Sequence, residues 1–190
     1  PLSSSAASDV YKRQDRVKGY RNFLNKIWNA NNFLIQNDCK FENIETPNDL
    51  KLNINKWIFV EFTNTNEKIK KSIDSYRFDE AARIAYQFVW HSFCDWYLEL
   101  SKTVFYSENN ENIEETRNVA SFIFTQILVI LHPFIPFLTE EIWLKNKLDK
   151  DGKDFLMLKN WSEASSNNDK DSDEVLSLIH ISEPTRHCLI

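Results

Sequence analysis

Glycine is nearly absent from this chain, which has two glycines and five prolines in 190 residues. The tight turns of β-hairpins draw on glycine, because glycine accepts a positive φ at little steric cost. So few turn residues disfavour hairpin-rich β folds and favour long helices joined by few turns. The apolar content of 42% is enough for the core of one domain. We therefore expect an all-α bundle of about five helices.

Hydrophobic spacing places these helices along the chain. The first predicted helix covers about Asp15–Gln36, and the second runs from after the Asn53–Asn55 region to about Ser75. Tyr76–Phe78 joins it to the third, which has Asp79 and Glu80 in its first turn and reaches about Ser107; the fourth covers about Glu114–Leu131, and a fifth begins at Pro136. Either Asn53 or Asn55 is suited to cap the second helix. A short strand at Trp57–Phe62 is the alternative there, and Phe155–Leu158 fits one strand or an extended segment.

The first predicted helix has two faces of different chemistry. Apolar side chains gather on one face, and a row of four asparagines, Asn22, Asn25, Asn29 and Asn32, lies on the other. Asparagine is a poor helix former, so this row costs helix stability. An amide can donate and accept at a base edge, which suggests an RNA-reading face. A merely solvated face in an asparagine-rich chain is the alternative.

The candidate RNA-binding residues follow from this face. They are Arg21, Asn25, Lys26, Asn29 and Phe33 on the first helix, with Arg77 as an outlying candidate. Lysine and arginine would contact phosphates, and an exposed Phe33 ring would stack on an unpaired base.

Net charge restricts where RNA could bind. The formal charge of the chain is −5, so an RNA-binding function must depend on a local basic patch. The first helix supplies one, since Arg16, Lys18, Arg21 and Lys26 stand there against Asp15 alone. Acidic residues concentrate elsewhere, at 108–115 and 169–174.

Cysteine usage and hydropathy indicate a cytoplasmic protein. The cysteines Cys39, Cys94 and Cys188 are odd in number and widely spaced, and no signal peptide precedes them, which is typical of free thiols in a reducing compartment. The strongest apolar run, Val119–Leu131, is too short to cross a membrane.

Four stretches of the chain resemble a known family. These are Gly19-Tyr-Arg-Asn-Phe-Leu-Asn-Lys-Ile-Trp-Asn-Ala30, Asn55-Lys-Trp-Ile58, Phe93-Cys-Asp-Trp-Tyr-Leu-Glu-Leu-Ser-Lys102 and Leu131-His-Pro-Phe-Ile-Pro-Phe-Leu-Thr-Glu-Glu-Ile-Trp143. In this order they resemble the anticodon-binding domain of the valyl-tRNA synthetases, which are class I enzymes. The likeness runs from about Asp15 to Trp161. The last stretch is shared with the isoleucyl and leucyl enzymes, and Leu24 stands where a cysteine is common.

This resemblance implies a function for the chain as part of a larger enzyme. The domain would hold the anticodon stem-loop of a tRNA, and a catalytic domain of the same parent chain would join valine to the tRNA, using ATP with magnesium. The class signatures His-x-Gly-His and Lys-Met-Ser-Lys-Ser do not occur here, so we expect no catalytic residue and no cofactor in this chain. The alternatives are the anticodon domain of an isoleucyl or leucyl enzyme and a stand-alone helical protein-interaction module.

Other chemically suggestive residues have ordinary explanations. His91 and Cys94 are three apart on one helix, but no cysteine pair completes a metal site. Asp95 and Glu99 are spaced i, i+4 and are expected to form structural ion pairs, with Lys102 three residues after Glu99.

The two ends of the chain do not continue its pattern. Residues 1–14 and 176–190 resemble translated adapter sequence and are expected to be non-native tails. The helical domain is then expected at 15–161, followed by a polar, acidic linker at 162–175.

Overall fold

The computed structural model describes residues 4–41, 46–47, 49–146 and 155–161, with side chains from Val17 onward. These residues form α1 (Ser4–Gln36), α2 (Asn53–Asp74), α3 (Phe78–Gln87), a π-helical segment (Phe88–Tyr97), α4 (Leu98–Phe105), α5 (Asn110–Leu131), α6 (Pro136–Lys145) and a 3-10 turn (Leu156–Leu158). Since α3, the π segment and α4 follow one another without a break, the described part of the chain contains five helical rods and no strand. The prediction of an all-α bundle of about five helices is confirmed.

The rod formed by α3, the π segment and α4 lies at the centre of the bundle. It packs against α1, α2 and α5. Its core-facing side chains are buried, Phe93 and Tyr97 completely, while an exposed polar stripe that includes Arg83, Gln87 and His91 runs along its outer side. Fully burying a side chain such as Phe93 contributes about 1.5–3 kcal/mol. The outer rods supply the rest of the core, with Ile27 and Leu34 from α1, Ile58, Phe62 and Ile69 from α2, and Ile123, Phe124, Ile127 and Leu128 from α5.

Several element boundaries differ from expectation. Helix α1 begins at Ser4 rather than near Asp15, and residues 4–14 contain no proline or glycine that would interrupt it. The strand alternative at Trp57–Phe62 is wrong, because these residues lie inside α2. Phe155–Leu158 forms neither a strand nor an extended run, since a 3-10 turn occupies Leu156–Leu158. The expected linker and C-terminal tail, 162–190, lie outside the described residues.

The expected asparagine cap of α2 is also wrong. Leu52 occupies the N-cap position and makes no side-chain capping bond. The Glu115 carboxylate of α5 instead accepts hydrogen bonds from the backbone N–H groups of Lys51 and Leu52, both at 3.0 Å. An anion near a helix N-terminus is favourable, so α5 supplies the stabilisation expected from a local cap.

Asn55 is buried, and its amide is satisfied by a hydrogen-bonded network between three rods. Its Nδ2 donates to Glu115 Oε1 at 2.9 Å and to Thr116 Oγ1 at 3.1 Å. Its Oδ1 accepts the Tyr97 hydroxyl at 3.0 Å, and that hydroxyl also approaches the Thr116 carbonyl oxygen at 3.4 Å. The network pairs polar groups whose burial without partners would be costly, and it fixes α2, the central rod and α5 relative to one another.

Replacing Tyr97 by phenylalanine tests this network. The variant leaves Asn55 Oδ1 without its buried donor, so we expect Tyr97→Phe to lower the free energy of unfolding by about 1–3 kcal/mol in urea titrations at pH 7. Tyr106→Phe is the matched control, because Tyr106 is 81% exposed and should lose almost nothing. Equal stabilities of the two variants would contradict the role given to the Tyr97 hydroxyl.

Candidate nucleic-acid interface

Helix α1 presents surfaces of different chemistry along its length. Phe23, Ile27 and Leu34 are buried in the core. Lys26 lies on the flank that faces the π segment, and Trp28 lies on the flank that faces α6. The side turned away from the core carries the exposed residues Lys18, Arg21, Asn22, Asn25 and Asn29, which we call the outward ridge.

The outward ridge is basic and rich in amides. No acidic residue occurs between Val17 and Gln36, although the whole chain carries a charge of −5. Its cationic side chains can contact phosphates, and its amides can donate and accept at base edges. The ridge therefore brings together three of the predicted residues, Arg21, Asn25 and Asn29.

Lys26 is placed beside the ridge and has partners of its own. Its ammonium group forms an ion pair and hydrogen bond with the Asp95 carboxylate and lies 4.4 Å from the centre of the Trp90 ring. Asp95 also lies 3.3 Å from His91 Nδ1, measured from Oδ2. The side chains of Lys26 and Asp95 are only 27% and 28% exposed. A phosphate that binds Lys26 must therefore compete with Asp95.

Phe33 is half-buried instead of standing fully exposed. Its ring packs on the core, with its centre 6.1 Å from that of Phe105 in α4. Lys102 Nζ lies 5.7 Å from the Phe33 ring centre and 2.8 Å from the Glu99 carboxylate oxygens. The ion pair expected between Glu99 and Lys102 is thus confirmed, and it lies next to the ring.

Arg77 is separate from the ridge, in the turn between α2 and α3. Its guanidinium is ion-paired with Glu80 at 2.8 Å. The preceding residue, Tyr76, has a φ of 57°, because the chain ends α2 there with hydrogen bonds from Tyr76 N to Ile73 O and from Arg77 N to Ser72 O. Glycine usually occupies such a position, and here a tyrosine that is 83% exposed does.

The sequence did not reveal one basic neighbour of the ridge. Lys145, at the end of α6, donates to Asn32 Oδ1 at 3.2 Å and lies 4.3 Å from the Trp28 ring centre. More than a hundred residues separate Lys145 from α1, and no local pattern connects them. Asn32 is therefore engaged with α6 instead of being available on the ridge.

Among the described residues, no three histidine, cysteine or acidic side chains lie together in a way that could hold a metal ion. Cys39 and Cys94 are buried free thiols, and burial raises the pKa of each to about 12. No helix in the described ranges is long and apolar enough to cross a membrane.

The class of protein follows from the family comparison. Residues 55–188 match the family described as the anticodon-binding domain of tRNA ligase, and the chain belongs to this family. Individual relatives of the chain include valine–tRNA ligases. The chain is 57% identical to that of Pelagibacter ubique over 94% of its own length, 44% identical to that of Buchnera aphidicola subsp. Schizaphis graminum over 84%, and 36% identical to that of Agrobacterium fabrum over 95%.

The likeness covers only part of those enzymes. The chain spans 20%, 17% and 19% of the three ligases, or about a fifth of their length. The predicted resemblance to the valyl-tRNA synthetases is confirmed. The expected domain boundaries and the proposed RNA-contact residues stay predictions.

The buried thiols give the stability of the chain a defined pH dependence. The thiol pKa values are about 12 in the folded chain against an ordinary value of 9.0, so the unfolded chain loses these protons first as the pH rises. We expect full stability below about pH 8 and a decline from pH 9 toward 12, by up to about 1.4 kcal/mol per pH unit for each thiol. Burial also raises the pKa of Tyr97, which adds to the decline. Urea unfolding at a series of pH values measures it.

Cys94→Ala is the control for this pH dependence. It should make the decline between pH 9 and 11 shallower, whatever its effect on stability at pH 7. A decline of unchanged slope in this variant would show that the Cys94 thiol does not contribute.

Proposed function

We propose that this chain is the anticodon-binding part of a valine–tRNA ligase and that the outward ridge of α1 holds the anticodon stem-loop. The observation that carries the proposal is the absence of acidic residues from Val17 to Gln36 in an acidic chain, together with the exposure of Lys18, Arg21 and three asparagines on one side of that helix. The 57% identity to a valine–tRNA ligase supports valine as the amino acid.

The length of the ridge suits three unpaired bases. A rise of about 1.5 Å per residue separates Asn22 from Asn29 by about 10 Å, which is close to the length of three stacked bases at about 3.4 Å each. Asn22, Asn25 and Asn29 then read base edges, while Lys18 and Arg21 contact phosphates on one side of them. Lys26 contributes from the flank, where Asp95 offers an acceptor for an exocyclic amino group.

The chemical step belongs to the rest of the parent enzyme. There ATP with magnesium activates valine, and the amino acid passes to the tRNA held by this domain. The work of this domain is to position the tRNA, and the cytoplasm, where protein synthesis occurs, is its expected location.

Salt dependence and ridge variants test the RNA interface. A labelled stem-loop with a valine anticodon should bind the chain, and the logarithm of the affinity should fall with the logarithm of the salt concentration by about 0.7 per phosphate contact. Arg21→Ala should lower affinity and reduce this slope, and Lys26→Ala should act less because Asp95 already pairs with that ammonium. Lys68→Ala, on the exposed surface of α2, is the matched control and should change neither quantity.

The same assay separates the alternatives. A stem-loop with an isoleucine anticodon should bind more weakly than the valine one, and Asn29→Ala should reduce that preference. Equal binding of both would leave the valine assignment without support. Affinity that is independent of salt and of Arg21 would contradict the RNA interface and favour a protein-interaction module.

Phe33 requires a variant that separates stacking from packing. Phe33→Leu keeps apolar volume beside Phe105 but removes the aromatic face, so we expect it to weaken stem-loop binding by about 1–3 kcal/mol in the same assay. Phe105→Leu is the control, since it disturbs the same ring pair from the other side and should leave binding within a factor of two. Equal effects of the two variants would assign Phe33 to packing alone.

A further inference from the structure

An apolar cleft of about 670 Å³ opens between three parts of the bundle. Its walls come from the first half of α1, from α3 and from the turn between α5 and α6. The principal apolar residues that line it are Tyr20, Leu24, Ala82, Tyr86, Leu131 and Phe134. Two of the described lining residues are charged, Asp79 and Arg83, and they carry opposite signs.

The stretch of α1 that adjoins this cleft is exposed. All six residues from Val17 to Asn22 are exposed, and Val17 and Tyr20 are each 65% exposed. A Cβ added at Gly19 would have no described atom within 4 Å. Exposed apolar side chains that adjoin an apolar cleft mark a surface on which another protein element can pack. Phe78, 54% exposed, directly precedes Asp79 of the cleft and extends the apolar surface.

The chemistry of the cleft selects a protein surface as its occupant. A small-molecule site needs several convergent polar groups, and here the wall is largely apolar. An RNA would need an excess of basic residues, whereas Asp79 offsets the charge of Arg83. An apolar protein element that carries one charge of each sign at its edge fits both the cleft and this pair.

We propose that the cleft and the exposed 17–22 stretch of α1 are the seat on which the remaining part of the same ligase packs. This inference rests on the proposed function. Since the chain spans about a fifth of the length of its relatives, four-fifths of such an enzyme lies outside it and must meet this domain at some surface. Interfaces between domains of one chain commonly bury about 600–1,500 Å², and the cleft with the adjoining stretch of α1 offers an apolar centre for one.

The geometry of α1 makes this seat useful to the function. Tyr20, Phe23 and Leu24 line the cleft from the side of α1 that faces the bundle, whereas Asn22, Asn25 and Asn29 project from the opposite side. One rigid helix therefore contacts the enzyme body with one side and the RNA with the opposite side. Docking in the cleft leaves the outward ridge open.

Thiol labelling in two contexts tests the seat. Cys188→Ser provides the background, because the buried thiols Cys39 and Cys94, with pKa values of about 12, should react slowly. Ala82→Cys then reports on the cleft, and Asn25→Cys on the outward ridge. Each variant is labelled with a maleimide in the full 190-residue chain and in the Pelagibacter ubique ligase that carries this chain in place of its matching segment. Valine-dependent pyrophosphate exchange shows that the catalytic part of that ligase is folded.

We expect the thiol at position 82 to react at least tenfold more slowly in the complete ligase than in the isolated chain, while the thiol at position 25 reacts equally in both. Adding tRNA should then slow labelling at position 25 and leave position 82 unchanged. Loss of that tRNA effect while the tRNA affinity stays unchanged would contradict the proposed function without touching the seat, whereas a weaker tRNA affinity of Asn25→Cys would support the proposed function. Equal reactivity of position 82 in both contexts would overturn the seat without touching the RNA interface.

Two further measurements keep the outcome decisive. If labelling of position 82 in the isolated chain slows as the protein concentration rises, a second copy of the chain occupies the cleft and the proposal is overturned. If the hybrid ligase shows no pyrophosphate exchange, the unaltered P. ubique ligase with a cysteine at the equivalent position is compared with its excised 178-residue segment. Tyr20→Cys repeats the labelling comparison at a residue whose replacement leaves the core intact. The change in its labelling rate between the isolated chain and the ligase must agree with that of Ala82→Cys.

Discussion

The hydroxyl of Tyr97 is the polar group on which the arrangement of the bundle depends. The central rod packs on its neighbours through apolar side chains and would slide or rotate among them if only hydrophobic contacts held it, since such contacts have no direction. The completely buried Tyr97 hydroxyl is satisfied only when Asn55 of α2 and Thr116 of α5 lie in one register. Glu115 extends the same network to the start of α2. Directional bonds thus fix three rods, and the surface they leave for α1 is fixed with them.

Helix α1 is held on the surface that these three rods form. Phe23, Ile27 and Leu34 hold it against the bundle, so its other side needs no further role in stability and can carry asparagines that weaken an isolated helix. The cost of these residues is offset by tertiary burial on the opposite side. This division explains how a helix with poor intrinsic propensity in its second half remains ordered and still presents amides to solvent.

The sequence predicted those parts of the molecule that depend on local pattern. Apolar periodicity placed the rods, and Pro136 marked the first residue of α6, where its missing N–H costs nothing. The sequence also identified Arg21, Asn25 and Asn29 as outward residues, because their position depends only on the helical period and the apolar face. Features that depend on a distant partner were not accessible in this way. Glu115 replaces a local cap at α2, Asp95 pairs with Lys26, Phe105 half-buries Phe33, and Lys145 engages Asn32. Each of these partners lies more than sixty residues away, and periodicity along a chain carries no information about it.

In the proposed RNA interface, the pairing of Lys26 with Asp95 restricts where positive charge can act. An unpaired row of cations on an acidic protein would bind any phosphate backbone, and binding of that kind does not discriminate between RNAs. Asp95 neutralises one cation at the flank, and its own carboxylate, 28% exposed, repels a phosphate that approaches from that side. Under this proposal, the flank accepts a base edge that carries an amino group and disfavours a phosphate. The attraction from Lys18 and Arg21 then acts from one end of the asparagine row, while acceptance at the flank depends on the base presented there. Selectivity in such an interface comes from restricting its positive charge as much as from placing it.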